Sequence, residues 1–491
     1  MSRRTLAAFV LLLSLALGGC DGRGNPTPPP SGWPDGLPTI TVVTSKVDTG
    51  NFDGERISQA LDAYAAPRIG AHVSLEFIEN ERYSQEFSKF LATDSLPDIF
   101  SMWYTYLGKQ MVENGRLLPL NALLQEHGGA VVSAVGEEFL AVQAYNGNIY
   151  TIASLMDRAS CLCFEYRKNI AGAYGLDMAS VETMEGLTAV LAQLKQKGGG
   201  VVPMSSYKII SWDPLLDSLG VLMDYGRGTQ VVNLYDTEEY RDMCRTINQW
   251  RANELLLNED YGLTSINNFV RSPDFFGKLC GYHPGLPYID STDAGEPIEC
   301  VILGEPFLYT DVDKRGCWGI SARTTHPVES MELLNLMYSD PYVVNLLIYG
   351  IEGVHYEVVD RDKGIIDFPE GVTVTSSGYA QFRGYQWGNQ FIGYTWNGWP
   401  EDLWDRILAF DKEALRSSAY GFTYDPAPVE EQVFACSEVV SEYTSLLEKG
   451  VGDVDPLLLE FREALSEAGI EQVVAEKQRQ LDGWLSARGA R

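Results

Sequence analysis

Histidine is scarce in these 491 residues. There are five, His72, His127, His283, His326 and His355, at no metal-ligand spacing. Neither a Gly-x-Ser-x-Gly elbow nor a His-Glu-x-x-His pair occurs, so serine-hydrolase and zinc-protease chemistry has no sequence support. Positive charge is short as well. Lys and Arg total 37 against 67 Asp and Glu, a formal net charge of −30. A polyanion of that size repels nucleic acid and anionic headgroups, which excludes both as partners of the folded body. Disulfide patterning is absent. Of eight cysteines Cys20 stands apart, and Cys161, Cys163, Cys244, Cys280, Cys300, Cys317 and Cys436 are odd in number and irregular in spacing. Several sit in apolar, strand-like runs such as Cys161-Leu-Cys163-Phe164, where cysteine behaves as a small hydrophobe. There is no internal repeat. After Pro38 no apolar run approaches the ~18 residues that cross a bilayer.

What is present begins at the N-terminus. Met1-Ser-Arg-Arg4 is basic, and Thr5 to Leu17 is apolar but too short to span a bilayer and stay there. It ends in Leu17-Gly18-Gly19-Cys20, which resembles the bacterial lipobox, where a peptidase cuts before a cysteine that carries lipid. Residues 1–19 thus read as a lipoprotein signal peptide and Cys20 as the lipidation site. Residues 20–38, rich in Gly, Pro, Ser and Asp without apolar periodicity, read as a flexible tether. The expected location is the outer face of the cytoplasmic membrane, with the protein anchored there rather than inserted.

About 450 residues follow, too many for one core and enough for two or three domains. Thr39-Ile-Thr-Val-Val-Thr44 is a β-branched run typical of a buried parallel strand. A helix near residues 55–66, a strand at Val73–Phe77, and a helix carrying Tyr83, Phe87, Phe90 and Leu91 come next. Leu96-Pro-Asp-Ile-Phe100 opens a third strand, and Gly147–Ile152 leaves this domain as a strand. Alternating strands and helices indicate an α/β domain on a mainly parallel sheet. In a second unit, Thr183 can cap a helix running to Lys197 and ended by Gly198-Gly-Gly200. A long amphipathic helix covers Asp236–Leu256, and short strands are expected at Lys278–Tyr282, Cys300–Leu303 and Gly316–Ile320. Helices return after His326 and again near the C-terminus, where Val433, Cys436, Val440, Tyr443 and Leu447 form one stripe.

Several pieces, in order, carry a family likeness: the lipobox, Leu96-Pro-Asp-Ile99, Asn114-Gly-Arg-Leu-Leu-Pro-Leu120 and Asn146-Gly-Asn-Ile-Tyr150. Phe276-Gly-Lys-Leu-Cys-Gly281, Gly350-Ile-Glu-Gly-Val-His-Tyr356, Gly388-Asn-Gln-Phe391, Gly421-Phe-Thr-Tyr-Asp425 and Ala475–Asp482 continue it. Together they resemble the extracellular solute-binding proteins of carbohydrate ABC transporters, the family-1 type related to maltose-binding protein, in its lipoprotein branch. The resemblance implies an α/β, two-lobed periplasmic-binding-protein fold of type II-like form, with a hinge and extra C-terminal helices. Lobe 1 is then 39–155 plus about 322–365, lobe 2 is 156–321, and residues 366–491 pack on the lobes. It implies a monomer without cofactor that binds an oligosaccharide, or a peptide or other polar solute, and delivers it to ABC permease subunits. A surface glycoside hydrolase or lyase and a glycan-binding adhesion lipoprotein are the rival readings.

Sugars need aromatic platforms for their C–H faces and amides or carboxylates for their hydroxyls. Asp48 follows the first strand as a hydroxyl acceptor or a solvated loop carboxylate. Trp103 and Tyr104 follow the Asp98-Ile99 strand, where the resemblance implies cleft residues. Trp212 and Asp213 can stack and accept, or Trp212 fills the second lobe's core. Tyr282 ends the Gly-Lys strand, a position that the resemblance implies for a sugar-stacking aromatic. Residues 379–404 hold Tyr379, Phe382, Tyr385, Trp387, Phe391, Tyr394, Trp396, Trp399 and Trp404. Of these, Tyr385 and Trp387 are the expected ligand contacts, while Asn389 is a ligand amide or a turn residue bonded to backbone.

Overall fold

A computed structural model describes residues 36–46, 52–102, 110–142, 144–145, 147–205, 207, 209, 211–257, 269, 272–310, 317–379 and 384–489. Cys20, Asp48, Trp103 and Tyr104 lie outside the described residues, as do the leader and most of the tether.

The first sheet has the order β2-β1-β3-β10-β4, with β1 Thr39–Lys46, β2 His72–Glu79, β3 Ile99–Met102, β4 Thr151–Ala153 and β10 Cys317–Ile320. β1 pairs in parallel with β2 and β3, while β10 runs antiparallel to β3 and β4. The carboxyl ends of β1 to β4 therefore share one edge. β1 is buried on both faces, which is why it reads as one apolar run. Ile40 and Val42 pack under the helices Gly54–Ile69, Pro327–Ser339 and Pro341–Tyr349, and Val43 packs with Phe87, Phe100 and Leu117 on the other side. The helical stretch after His326 is two helices because Asp340 caps the second one, its carboxylate accepting the Tyr342 and Val343 N–H groups.

The second sheet has the order β6-β7-β5-β8: β5 Cys161–Arg167, β6 Val202–Met204, β7 Phe275–Tyr282 and β8 Ile298–Ile302. β6 is parallel to β7, and β5 is antiparallel to both β7 and β8. Leu162, Phe164 and Tyr166 face a core with the helices Met184–Lys197 and Glu238–Ala252. Thr183 caps the first of these, its side chain accepting the Gly186 N–H at 3.1 Å. Gly277 permits this packing, since a Cβ there would lie 2.2 Å from the Phe164 ring and 2.5 Å from the Glu165 carbonyl oxygen.

One expectation is corrected. Gly316–Ile320 was expected as a strand of the second unit; the strand is Cys317–Ile320 and belongs to the first sheet. Its four residues are all buried, and a short buried strand carries no local mark of the sheet it joins. The chain thus returns to the first sheet by residue 317.

The C-terminal part divides its packing. Tyr379, Trp387 and Trp396 enter the core of the first sheet. The helices Glu430–Leu447, Val454–Ala468 and Ile470–Gly489 share a core with Leu219, Val221, Tyr235, Tyr240 and Cys244. A small sheet of β11 Glu357–Asp360, β12 Ile365–Asp367 and β13 Thr395–Trp396 completes the first half.

Candidate ligand cleft

The crossover 154–160 leaves the carboxyl end of β4 and enters the amino end of β5. Because β5 opposes β7 and β8, its amino end lies beside the carboxyl ends of β7 and β8. The carboxyl edges of both sheets thus converge on one connection. Open α/β sheets bind ligands outside that edge.

The connection is a set of paired segments. Ser160 and Phe307 exchange backbone hydrogen bonds of 3.2 and 3.0 Å, joining the outgoing and returning passes. β9 (Phe307–Leu308) pairs with β14 (Leu415–Arg416). Leu155 donates to the Gly388 carbonyl at 2.8 Å and accepts from Gln390 N–H at 3.3 Å. Asp411, 2 % exposed, accepts from the Ala159 N–H at 2.8 Å and the Arg158 N–H at 3.1 Å. Burial raises its carboxyl above the usual aspartate range.

At the first sheet's edge, Gln386 Nε2 donates to Thr44 Oγ1 at 2.5 Å and to the Ser45 carbonyl at 2.6 Å. Its own carbonyl accepts from Trp318 Nε1 at 3.2 Å and Ser154 Oγ at 3.3 Å. This holds residues 384–390 across the ends of β1 and β4 and leaves neighbouring Tyr385 half-buried at the edge. Trp387 points into the first core. It is 2 % exposed and stacks on Trp318 at 5.7 Å with 18° between the rings, so it fills the core rather than the cleft. Asn389 is a turn residue, its Oδ1 accepting from Phe391 N–H and its Nδ2 donating to the Tyr338 carbonyl, both at 3.1 Å.

At the second sheet's edge, Tyr282 ends β7, opposite Cys161, and is half-buried. Its ring meets Phe410 edge-on at 5.8 Å, which fixes the platform. Burial pushes its phenol up to about 12, so it stays protonated and can donate. Trp212 is half-buried against the core of the C-terminal helices. Asp213 is fully buried and spends its carboxylate on the chain, accepting from Leu215 N–H at 3.1 Å, Thr310 N–H at 2.9 Å and the Thr310 hydroxyl. It shapes a loop and does not open to a ligand. Of the described candidates, then, Tyr282 and Tyr385 stand at the converging edges. Trp387 and Asp213 are corrected to structural roles, on the ground of burial and satisfied bonding.

Behind Tyr282 lies a buried polar face. Lys278 Nζ is 2.9 Å from Glu165 Oε2 and 3.0 Å from Asp290 Oδ2, which fastens the helix Leu286–Ala294 to β7. Burial works against the ammonium, but Asp290 and Glu165 outweigh it and hold Lys278 protonated. Burial and the adjacent Asp290 in turn raise Glu165 well above the usual range. Cys163 and Cys280 sit on the same face with sulfurs 3.7 Å apart, and contact with a neighbouring thiol, Cys300 for the first and Cys163 for the second, together with burial raises both. Gln386, Asp157, His283 and Gln390 were not singled out from sequence. His283 adjoins Tyr282, Asp157 lies four residues after β4, and Gln390 belongs to the Gly388–Phe391 piece, which are the signals the sequence offered. Among the described residues no group of three or more His, Cys, Asp and Glu is arranged to hold a metal ion.

This architecture is that of the two-lobed solute-binding proteins. The chain is similar to the N-glycan transport solute binding protein NgtS of Streptococcus pneumoniae in complex with Man1GlcNAc, at 22 % identity and a TM-score of 0.80, over 91 % of this chain and 100 % of that one. The Man5GlcNAc complex of NgtS gives 22 % identity and a TM-score of 0.76, over 92 % of this chain and 99 % of that one. An extracellular solute-binding protein of Bifidobacterium longum subsp. infantis gives 14 % and 0.59, over 91 % and 98 %. A carbohydrate ABC transporter substrate-binding protein of Streptococcus pneumoniae serotype 4 is 23 % identical over 441 residues, covering 85 % of each chain. Residues 418–486 match a domain family described as of unknown function, DUF3502. The likeness to carbohydrate-transporter binding proteins expected from the sequence is thus found along most of the chain.

Proposed function

We propose that this protein is an extracellular receptor, lipid-anchored through Cys20, that captures an oligosaccharide between two lobes and delivers it to an ABC permease. The observation that carries the reading is the convergence of both sheets' carboxyl edges on one hinge, with Tyr282 and Tyr385 half-buried at the two edges. The likeness to NgtS, crystallised with Man1GlcNAc and Man5GlcNAc, supports an N-glycan-type oligosaccharide as the cargo. Asp48, two residues after β1 in the sequence, and Trp103 and Tyr104, next after β3, are the candidates that would complete the first lobe's side. The relatives are named as binding proteins of transporters, which favours a receptor over a glycoside hydrolase or lyase. A monomer suffices, since both edges come from one chain.

Micromolar capture corresponds to about −8 kcal/mol, within reach of a few stacked rings and hydrogen-bonded hydroxyls after the cost of closure. Calorimetric titration with Man1GlcNAc, Man5GlcNAc and a set of short peptides tests the reading. Saturable binding of a glycan is expected, and Tyr282→Ala lowers its affinity at least about tenfold, or roughly 1.4 kcal/mol. Unchanged affinity in that variant removes Tyr282 from the site. Binding to peptides with none to glycans sinks the carbohydrate reading.

A further inference from the structure

Three separate parts of the chain meet at the carboxylate of Asp157. Asp157 lies on the crossover between the sheets, His283 directly follows β7 of the second sheet, and Gln390 belongs to the segment laid across the first. Gln390 Nε2 donates to Asp157 Oδ1 at 3.3 Å, which orients the carboxylate and leaves Oδ2 on the side of His283. The Gly285 N–H donates to His283 Nδ1 at 3.3 Å, so the neutral ring carries its proton on Nε2, the atom that faces Asp157. Nε2 and Oδ2 are 3.8 Å apart, beyond a direct hydrogen bond. Both side chains keep solvent access, 16 % for His283 and 23 % for Asp157. Beside them, the Tyr282 ring braced by Phe410 offers an apolar face at the same strand end.

A donor and an acceptor 3.8 Å apart match one chemical group well. A hydroxyl can accept from Nε2–H and donate to Oδ2 at ordinary hydrogen-bond lengths to both, whereas an ether oxygen satisfies only the first and an ammonium only the second. We infer that Asp157 and His283 form a hydroxyl-reading pair in the cleft, bridged by one hydroxyl of a sugar ring that stacks on Tyr282. The inference rests on the oligosaccharide reading above and deepens it by naming the residues that select among sugars. Because the pair spans the crossover and the second sheet, a hydroxyl seated there also ties the one to the other.

The test uses the whole protein, Man5GlcNAc and a panel of its monodeoxy analogues in calorimetric titrations. Asp157→Asn keeps an oxygen for Gln390 while turning the acceptor towards His283 into a donor, and His283→Ala removes the donor. In the wild type, one deoxy analogue is expected to bind at least tenfold more weakly than the parent glycan. That difference vanishes in both variants, while their thermal midpoints stay near the wild-type value. A purely structural role lowers affinity for every analogue alike and overturns the pair, as does wild-type affinity in both variants. If the wild type binds Man5GlcNAc and every deoxy analogue equally, the pair falls and the receptor reading stands. If the wild type binds no glycan, the receptor reading falls and takes the pair with it.

Discussion

The ring of His355 is buried, accepts the Ile351 N–H at Nδ1 over 2.8 Å and faces Asp53 Oδ2 with Nε2 at 3.2 Å. It joins the turn Gly350–Tyr356 to the start of the helix Gly54–Ile69. Burial lowers its pKa, and this outweighs the opposite pull of Asp53. The folded state therefore binds a proton less readily than the unfolded chain, whose histidine titrates near about 6.5. This contribution to stability is fully present above that pH and is lost as pH falls from there towards the lowered folded value. Thermal unfolding scanned between about pH 7.5 and 5 should show a midpoint falling with pH, and His355→Gln should flatten that slope. An equal slope in the variant would assign it to other groups. A sequence motif thus acquires a physical reason, since Gly350, at φ 92°, sits where a Cβ would lie 2.5 Å from His355 Nδ1. Other residues were read for the wrong role. Trp387 and Asp213 were expected as ligand contacts, and burial and bonding put them inside, neither of which composition or spacing encodes.

Elements were more legible than residues. β1 announced itself by β-branched residues, the helix Met184–Lys197 by Thr183, and the helices after His326 by their apolar period, because each signal is local. β10 was found as a strand yet placed in the wrong sheet, because pairing is settled by tertiary contacts. The C-terminal helix Ile470–Gly489 shows what fixes an element once formed. Lys477 on it is fully buried and donates to the Leu215 carbonyl at 3.1 Å, the Gly220 carbonyl at 3.2 Å and the Asp217 carboxylate. Burial lowers its pKa, while Asp217 pulls it back up. Replacing Lys477 with Met leaves a carboxylate and two carbonyls without their cation. A loss of about 2–3 kcal/mol in urea denaturation is expected, below the full cost of breaking a buried pair because Asp217 is partly exposed. A change within a few tenths of a kcal/mol would mean that this anchor does not hold the helix.

At the scale of the whole molecule, the carboxyl edges of two sheets meet at one paired crossover, which is where the proposed cleft lies. The resemblance in the sequence anticipated that plan, since its pieces mark turns and strand ends along nearly the whole body. It put residues 366–491 on the lobes without dividing them; the aromatic-rich stretch packs into the first core with Tyr379, Trp387 and Trp396, while the last three helices join the other side. On the proposed receptor reading, an oligosaccharide held at both edges would favour a closed arrangement by its differential affinity for that state. Small-angle X-ray scattering of the protein with and without Man5GlcNAc is the most direct test that the two lobes close on a glycan. A smaller radius of gyration is expected at saturating glycan, and Tyr282→Ala should need about tenfold more glycan for the same decrease. An unchanged radius in the wild type under conditions where calorimetry shows saturation would contradict it.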